Sequence, residues 1–406
     1  MRDDSTNRGL IEQATSTMVY VNGPEVNKDT SIVGWPDMVD QQVNSVNHIK
    51  TSQSLGIHID ELLSLVVYKG ASDLHITVPS QPILRIEGKL VAQQDLAPVT
   101  PDDVKSIFEQ ITTEEQRATF QRELELDFSY SIPGLARFRV SALQQRGTMS
   151  LAFRLVPFKT PSIDELGLPQ VCKELIRKPR GLILITGSAG SGKSTTLAAM
   201  INYLNETESR NVITIEDPIE FLFHNNKCII RQRELGDDTK QFYTALVHAL
   251  RHDPDVIVVG EMRDLATIST AMTAAETGHL VLGTMHTIDT AQAVDRVIDI
   301  FPAGQQQQIR LQFSQVIEAV LSQVLLPRIG GGRIAAFEIM LASPGIRRLI
   351  REGMIYEIPN NLEHGAAEGK QSMDQALANL VKRNIVTRED AMMRSSNPAK
   401  LDELLK

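Results

Sequence analysis

The chain has 406 residues, 42% of them hydrophobic, which predicts two or three domains with sizeable cores. Its 41 basic and 50 acidic residues leave a formal net charge of -9, so it lacks the electrostatic footprint of a polyanion binder, and no nucleic-acid partner is expected. Cys172 and Cys228 stand far apart with no C-x-x-C spacing, suggesting neither a disulfide framework nor a zinc site.

Residues 1–56 are rich in Asn, Asp, Ser, Thr, Gln and Val, with Trp35 and no sustained periodicity; they read as a flexible arm without chemistry. The opening MRDDSTNRGLIEQ has no signal-peptide apolar run, and no stretch reaches transmembrane length. A cytoplasmic protein that meets a membrane only through a partner is the expectation.

Residues 57–157 read as an α+β domain. IDELLSLVVYKGASDLHI gives a short amphipathic helix stopped by Gly70, and QPILRIEGKLV is a strand and turn. Thr100-Pro101-Asp102-Asp103 opens a helix, and Thr113 to Glu123 forms another. LDFSYSI, ARFRVSALQQ and TMSLAFRLV, separated by Pro133-Gly134 and Arg146-Gly147, predict an antiparallel sheet. The proline-bearing 158–179 reads as a linker, across which two domains can move.

Residues 180–342 alternate strands and helices, which predicts a parallel sheet covered on both faces. The strands expected are LILI, NVITI, VIVVG, LVLGT and RIAAFEIML. QQQQIRLQFSQVIEAVLSQVLL reads as one long helix with Ile309, Phe313, Val316, Ile317, Val320 and Val324 on its apolar face. Residues 343–406 are predicted helical, with starts at Ser343-Pro344, Ser372, Thr387 and Asn397-Pro398.

The chemistry concentrates at GLILITGSAGSGKST, residues 181–195. An apolar strand breaks into a glycine-rich turn and a helix follows: the context a P-loop requires. Over Gly187, Ser188, Ala189, Gly190, Ser191 and Gly192 the main-chain N–H groups can converge on phosphate. Lys193 would reach the β- and γ-phosphates, Ser194 would ligate Mg²⁺, and Thr195 continues into a helix whose N-terminus favours the anion.

Hydrolysis further needs a carboxylate to orient water, a group that senses the γ-phosphate, and positive charge for the transition state. Glu216 after NVITI and Glu261 after VIVVG fall at strand ends, beside the phosphate loop. The aspartate that ordinarily ends the second of these strands is missing, for Gly260 stands there; Asp255 precedes the strand and belongs to the HDPD turn. Spacing does not say which glutamate is the base. His279 and His286 flank LVLGTM, and His286 follows it, where an imidazole could meet the γ-phosphate; His279 is open to a packing role. Arg139, Arg146 and Arg154, on strands of the first domain, would ordinarily be solvated. An oligomer that laid that sheet over a nucleotide would give them a catalytic use.

Taken together, TGSAGSGKSTTLAAM, TIEDPIEF, DPDVIVVGEMRD and TGHLVLGTMHT, in this order, resemble the secretion ATPase superfamily, and within it the type IV pilus retraction ATPases, the PilT family. GASDLHI, DRVIDIFPAGQQQQIR and SMDQALANLV extend the match over about 57–406, and GIRRLIRE is similar to that family's AIRNLIRE motif, departing at Gly345 and Arg348. The resemblance implies an α/β fold: a smaller N-terminal α+β PAS-like domain, a RecA-like P-loop ATPase domain and a helical C-terminal region. It implies a homo-hexamer that hydrolyses ATP with Mg²⁺ to drive pilus retraction through an inner-membrane platform protein, at times beside a paralogous ATPase. Glu216 would be the general base, Glu261 would support water and metal, and His286 with His279 would answer to the γ-phosphate. Arg139 and Arg154 fall where that superfamily carries phosphate-contacting arginines. Assembly and type II secretion ATPases usually carry a tetracysteine zinc element, which two cysteines cannot make. The alternatives kept open are a retraction accessory paralogue, a type IVB secretion ATPase, and a non-hydrolysing ring partner.

Overall fold

The structure is a computed structural model that describes residues 58–157 and 160–406; the arm expected over 1–56 lies outside them. The first described element, α1 (Ile59–Tyr68), buries Ile59, Leu62, Leu63 and Val66, the one-face spacing of an amphipathic helix, and ends before Gly70 at φ +61°.

The chain then enters β1 (Asp73–Thr77), a strand absent from the sequence reading, followed by the hairpin β2 (Ile83–Ile86) and β3 (Lys89–Ala92). Helices α2 (Pro101–Ile111) and α3 (Glu114–Glu123) each start on a capping box, Thr100 with Asp103 and Thr113 with Gln116. Each such cap contributes about 1 kcal/mol by satisfying helix-end N–H groups. Strands β4 (Glu125–Ile132), β5 (Ala136–Gln145) and β6 (Thr148–Val156) complete a six-stranded sheet in the order β3-β2-β1-β6-β5-β4, antiparallel at each pairing. Along β5, Ala136, Phe138, Val140 and Ala142 are buried in the core while Arg139 is exposed, as strand alternation requires.

The segment expected to be a linker is built into the second core: Ile163, Leu168, and Cys172, Leu175 and Ile176 of α4 (Val171–Ile176) pack there. Then come β7 (Gly181–Thr186), α5 (Lys193–Thr207), β8 (Asn211–Glu216), β9 (Ile229–Glu234), α6 (Phe242–Ala249), β10 (Val256–Val259), α7 (Leu265–Glu276), β11 (Leu280–Met285), α8 (Thr290–Asp299) and α9 (Gln306–Val316). Two final strands, β12 (Ile317–Pro327) and β13 (Arg333–Leu341), close a seven-stranded sheet ordered β13-β12-β7-β11-β10-β8-β9. All its pairings are parallel except that of β12 with β13. Helices α10 (Pro344–Glu352), α11 (Ile358–His364), α12 (Met373–Lys382), α13 (Arg388–Arg394) and α14 (Pro398–Leu405) follow.

The predicted helix over QQQQIRLQFSQVIEAVLSQVLL is therefore half right. It ends at Val316, and Ile317–Pro327 is a strand beside β7. Ile317 and Val320 pack into one core while Ala319 and Leu321 pack into the other, so the strand is apolar on both faces. Such a run carries no period-2 signal and reads equally well as a buried helix. Among the described residues, no helix is long and apolar enough to cross a membrane.

Candidate active site

Parallel pairing brings the carboxyl ends of β7, β8, β10 and β11 to one edge of the larger sheet. The glycine-rich loop follows β7, Glu216 ends β8, Gly260-Glu261 follow β10 and His286 follows β11. Around them opens a cleft of about 470 Å³, whose walls include Gly190, Lys193, Ser194, Glu216, Glu261 and His286. Ala189, Gly192 and Thr195 also border it.

The loop needs its glycines for different reasons. Gly187 has φ +143°, and a Cβ there would stand 2.4 Å from the Gln323 carbonyl and 2.6 Å from Ser191 Oγ. Gly190, at φ +73°, faces open space, where a phosphate can approach the main chain. From β12 beneath, the fully buried Gln323 donates Nε2–H to the Ser191 carbonyl at 2.7 Å, and Ser322 and Thr186 share a hydroxyl bond of 2.6 Å. Gln323 acts on the loop from a segment read as helical, so the sequence carried no signal for it.

Lys193 Nζ is folded onto the carbonyls of Gly187 at 2.8 Å and Ser188 at 3.0 Å, an ammonium holding the shape of the loop it would leave for a phosphate. Burial pulls its pKa down, opposed by Glu261 and Glu220. His286 stands between the two charges, Nδ1 at 3.5 Å from Lys193 Nζ and Nε2 at 3.3 Å from Glu261 Oε1. The ring can accept from the Lys193 ammonium on Nδ1 and donate from Nε2 to Glu261. Burial raises the Glu261 carboxyl, but Arg263 and His286 outweigh it and hold the group below its ordinary value. Arg263 grips Glu261 with two nitrogens, Nη2 at 2.5 Å from Oε2.

Glu216 has the opposite balance. Its desolvation raises the carboxyl, against hydrogen bonds from Thr214 Oγ1 at 2.5 Å and Gln232 Nε2 at 3.0 Å. The Glu216 main chain also explains the missing aspartate. A Cβ on Gly260 would lie 2.9 Å from the Ile215 carbonyl and 3.2 Å from Glu216 Cα, so β8 leaves no room for a side chain there. Asp255 sits at the far end of β10, accepting the Asn211 N–H at 2.8 Å.

Four of the residues singled out in the sequence are not brought to the cleft of their own chain; one of them, Arg146, lies in the turn between β5 and β6. His279 precedes β11, at the opposite end from the phosphate loop, where its Nδ1 lies 3.0 Å from the Ala274 carbonyl at the end of α7. Its ring is engaged with that helix end and cannot contact a nucleotide bound beside Lys193. Arg139 and Arg154 are cross-strand neighbours on the smaller sheet, and Arg154 Nε is paired with Asp73 at 2.8 Å. Conversely, the cleft includes Glu220, Phe221, Phe223, Phe242 and Arg333, which the sequence reading left unassigned.

A P-loop at the carboxyl edge of a seven-stranded, largely parallel sheet, with acids at the neighbouring strand ends, defines a nucleoside-triphosphate-binding ATPase domain. Residues 49–389 match the family described as Type II/IV secretion system protein, and the chain belongs to that family. It is 46% identical over 340 residues to the type IV pilus retraction ATPase PilT of Pseudomonas aeruginosa, covering 84% of this chain and 98% of that one. A twitching motility protein of Neisseria gonorrhoeae is also 46% identical, over 78% of this chain and 84% of its own. Among solved structures, the pilus retraction motor PilT with bound ADP superposes with a TM-score of 0.78 at 44% identity, over 86% of this chain and 99% of that one. The chain is an ATPase of this family.

Proposed function

We infer that this ATPase powers pilus retraction as a ring of six copies, working in the cytoplasm on a platform protein of the inner membrane. The observation that carries the reading is the convergence of Lys193, Ser194, Glu216, Glu261 and His286 on one cleft, in a chain alike over 84% of its length to a retraction ATPase. A ring partner that merely bound nucleotide would have no use for the full set.

The N–H groups of residues 187–192 bind the phosphates and Lys193 leaves its loop carbonyls for the β- and γ-phosphates. The carboxylate of Glu216 takes the proton of the attacking water, with Gln232 and Thr214 fixing its orientation. Glu261, kept anionic by Arg263, orients the imidazole of His286 toward the γ-phosphate. Ser194 would hold Mg²⁺ together with phosphate oxygens, with Glu216 and Glu261 supporting it from the outer shell, and the ion would supply positive charge against the phosphates. Arg139 and Arg154 would serve the cleft of a neighbouring copy, and the 57–157 and 180–342 domains would move relative to one another through the cycle.

The test is steady-state ATPase activity across a protein concentration series, beside Lys193→Ala and Glu216→Gln. Expected are specific activity rising with assembly, loss of nucleotide binding in K193A, and retained binding in E216Q with turnover down about 10²- to 10⁴-fold. Nucleotide binding without turnover by the unaltered chain would sink the reading.

A further inference from the structure

Edge strand β9 is charged, and its alternate side chains Gln232 and Glu234 both reach the acidic loop that leaves Glu216. Gln232 holds the Glu216 carboxylate, donates to the Phe221 carbonyl at 2.8 Å and accepts the Phe223 N–H at 3.0 Å. Glu234 does something different. Its carboxylate is buried and accepts the Ile219 N–H at 2.9 Å on Oε2, within the same loop. That oxygen also pairs with Arg137 Nη2 at 3.2 Å, while Oε1 accepts the Ser129 hydroxyl. Arg137 lies on β5 and Ser129 on β4, in the smaller sheet.

We propose that Glu234 is a positioning residue that latches the N-terminal domain to the acidic loop of the ATPase site, so that the loop's nucleotide state sets the angle between the two domains. One carboxylate serves both sides, so neither can move without altering its bonds to the other. The latch is also under-filled. Arg137 gives Glu234 a single nitrogen, spends Nη1 on Ser131 Oγ at 3.2 Å, and leaves Nε buried with no partner. A guanidinium ordinarily binds a carboxylate through two parallel N–H bonds, and a buried donor without a partner is costly. A small rotation of the smaller sheet would let Arg137 grip with both arms, which gives the contact two arrangements of different strength.

The inference rests on the ATPase reading for its consequence in turnover, but its geometry can be read without turnover. Cys172 and Cys228 are buried, so spin labels introduced through Lys105→Cys on α2 and Thr273→Cys on α7 report the distance between the domains. In the full-length protein, ADP and a non-hydrolysable ATP analogue should give different narrow distributions. In Glu234→Gln, Arg137→Gln and Ser129→Ala these should broaden and converge, with kcat down about fivefold or more and ADP affinity within about twofold. The double variant E234Q/R137Q should be no worse than its harsher single, as for partners in one contact. Unchanged distances and kcat in R137Q and S129A would overturn the latch, even were E234Q impaired, because Glu234 would then merely prop its own loop. Should no variant and no parent hydrolyse ATP, the proposed function fails while the distances still decide the latch.

Discussion

Glu216 and Glu261 flank one cleft, yet burial pushes the first carboxyl up while Arg263 and His286 hold the second down. That difference supports the proposal that Glu216 is the proton acceptor, where chain spacing leaves the two equivalent. It also has a stability signature. A carboxyl whose pKa is higher folded than unfolded binds its proton more tightly in the folded state. Its stabilising contribution is complete below the ordinary carboxylate value and is lost as pH rises through the raised one. Glu216→Gln removes that penalty, so at neutral pH the nucleotide-free variant should melt above the parent, with the gap closing in acid. Thermal melts at several pH values check this; a variant less stable at pH 7 would show that Glu216 is settled as an anion by Thr214 and Gln232.

At the scale of elements, the loop after β7 was legible because glycine spacing, apolar strand and helix all carry local signals. Gly187 should tolerate nothing larger: alanine places its Cβ against the Gln323 carbonyl and Ser191 Oγ. Gly187→Ala is expected to lose nucleotide binding, measured by fluorescent ADP titration, while far-ultraviolet dichroism stays that of the parent. The sequence was blind elsewhere for physical reasons. β9 is an edge strand, IIRQRE, whose Gln232 and Glu234 serve the loop beside it, and it shows no apolar alternation. β1 is five residues long and follows Gly70 too closely to announce itself, though it sits mid-sheet between β2 and β6. β12 hides its strand nature by being buried on both sides. Gln323 and Ser322, which brace the phosphate loop, were hidden with it.

At the scale of the whole molecule, each sheet has its own core, and the exposed Arg139 lies outside the cleft of its chain. The proposed completion of the cleft by a second copy predicts complementation. Neither Lys193→Ala nor the double variant Arg139→Ala/Arg154→Ala should hydrolyse ATP alone, but mixed rings should regain activity wherever an intact cradle meets intact arginines. A mixture as inactive as its parts would place the arginines outside the reaction.

The order of strands in the larger sheet also governs how the chain can be made. β7, which carries the phosphate loop, lies between β11 and β12, and β12 comes well after the other parallel strands. Until Ile317–Pro327 leaves the ribosome, the nascent catalytic strand has one side of its ladder open and Gln323 is not there to hold the loop. An open parallel edge is adhesive to other chains, so a nascent chain that has already made most of its catalytic residues still lacks the strand that closes that edge.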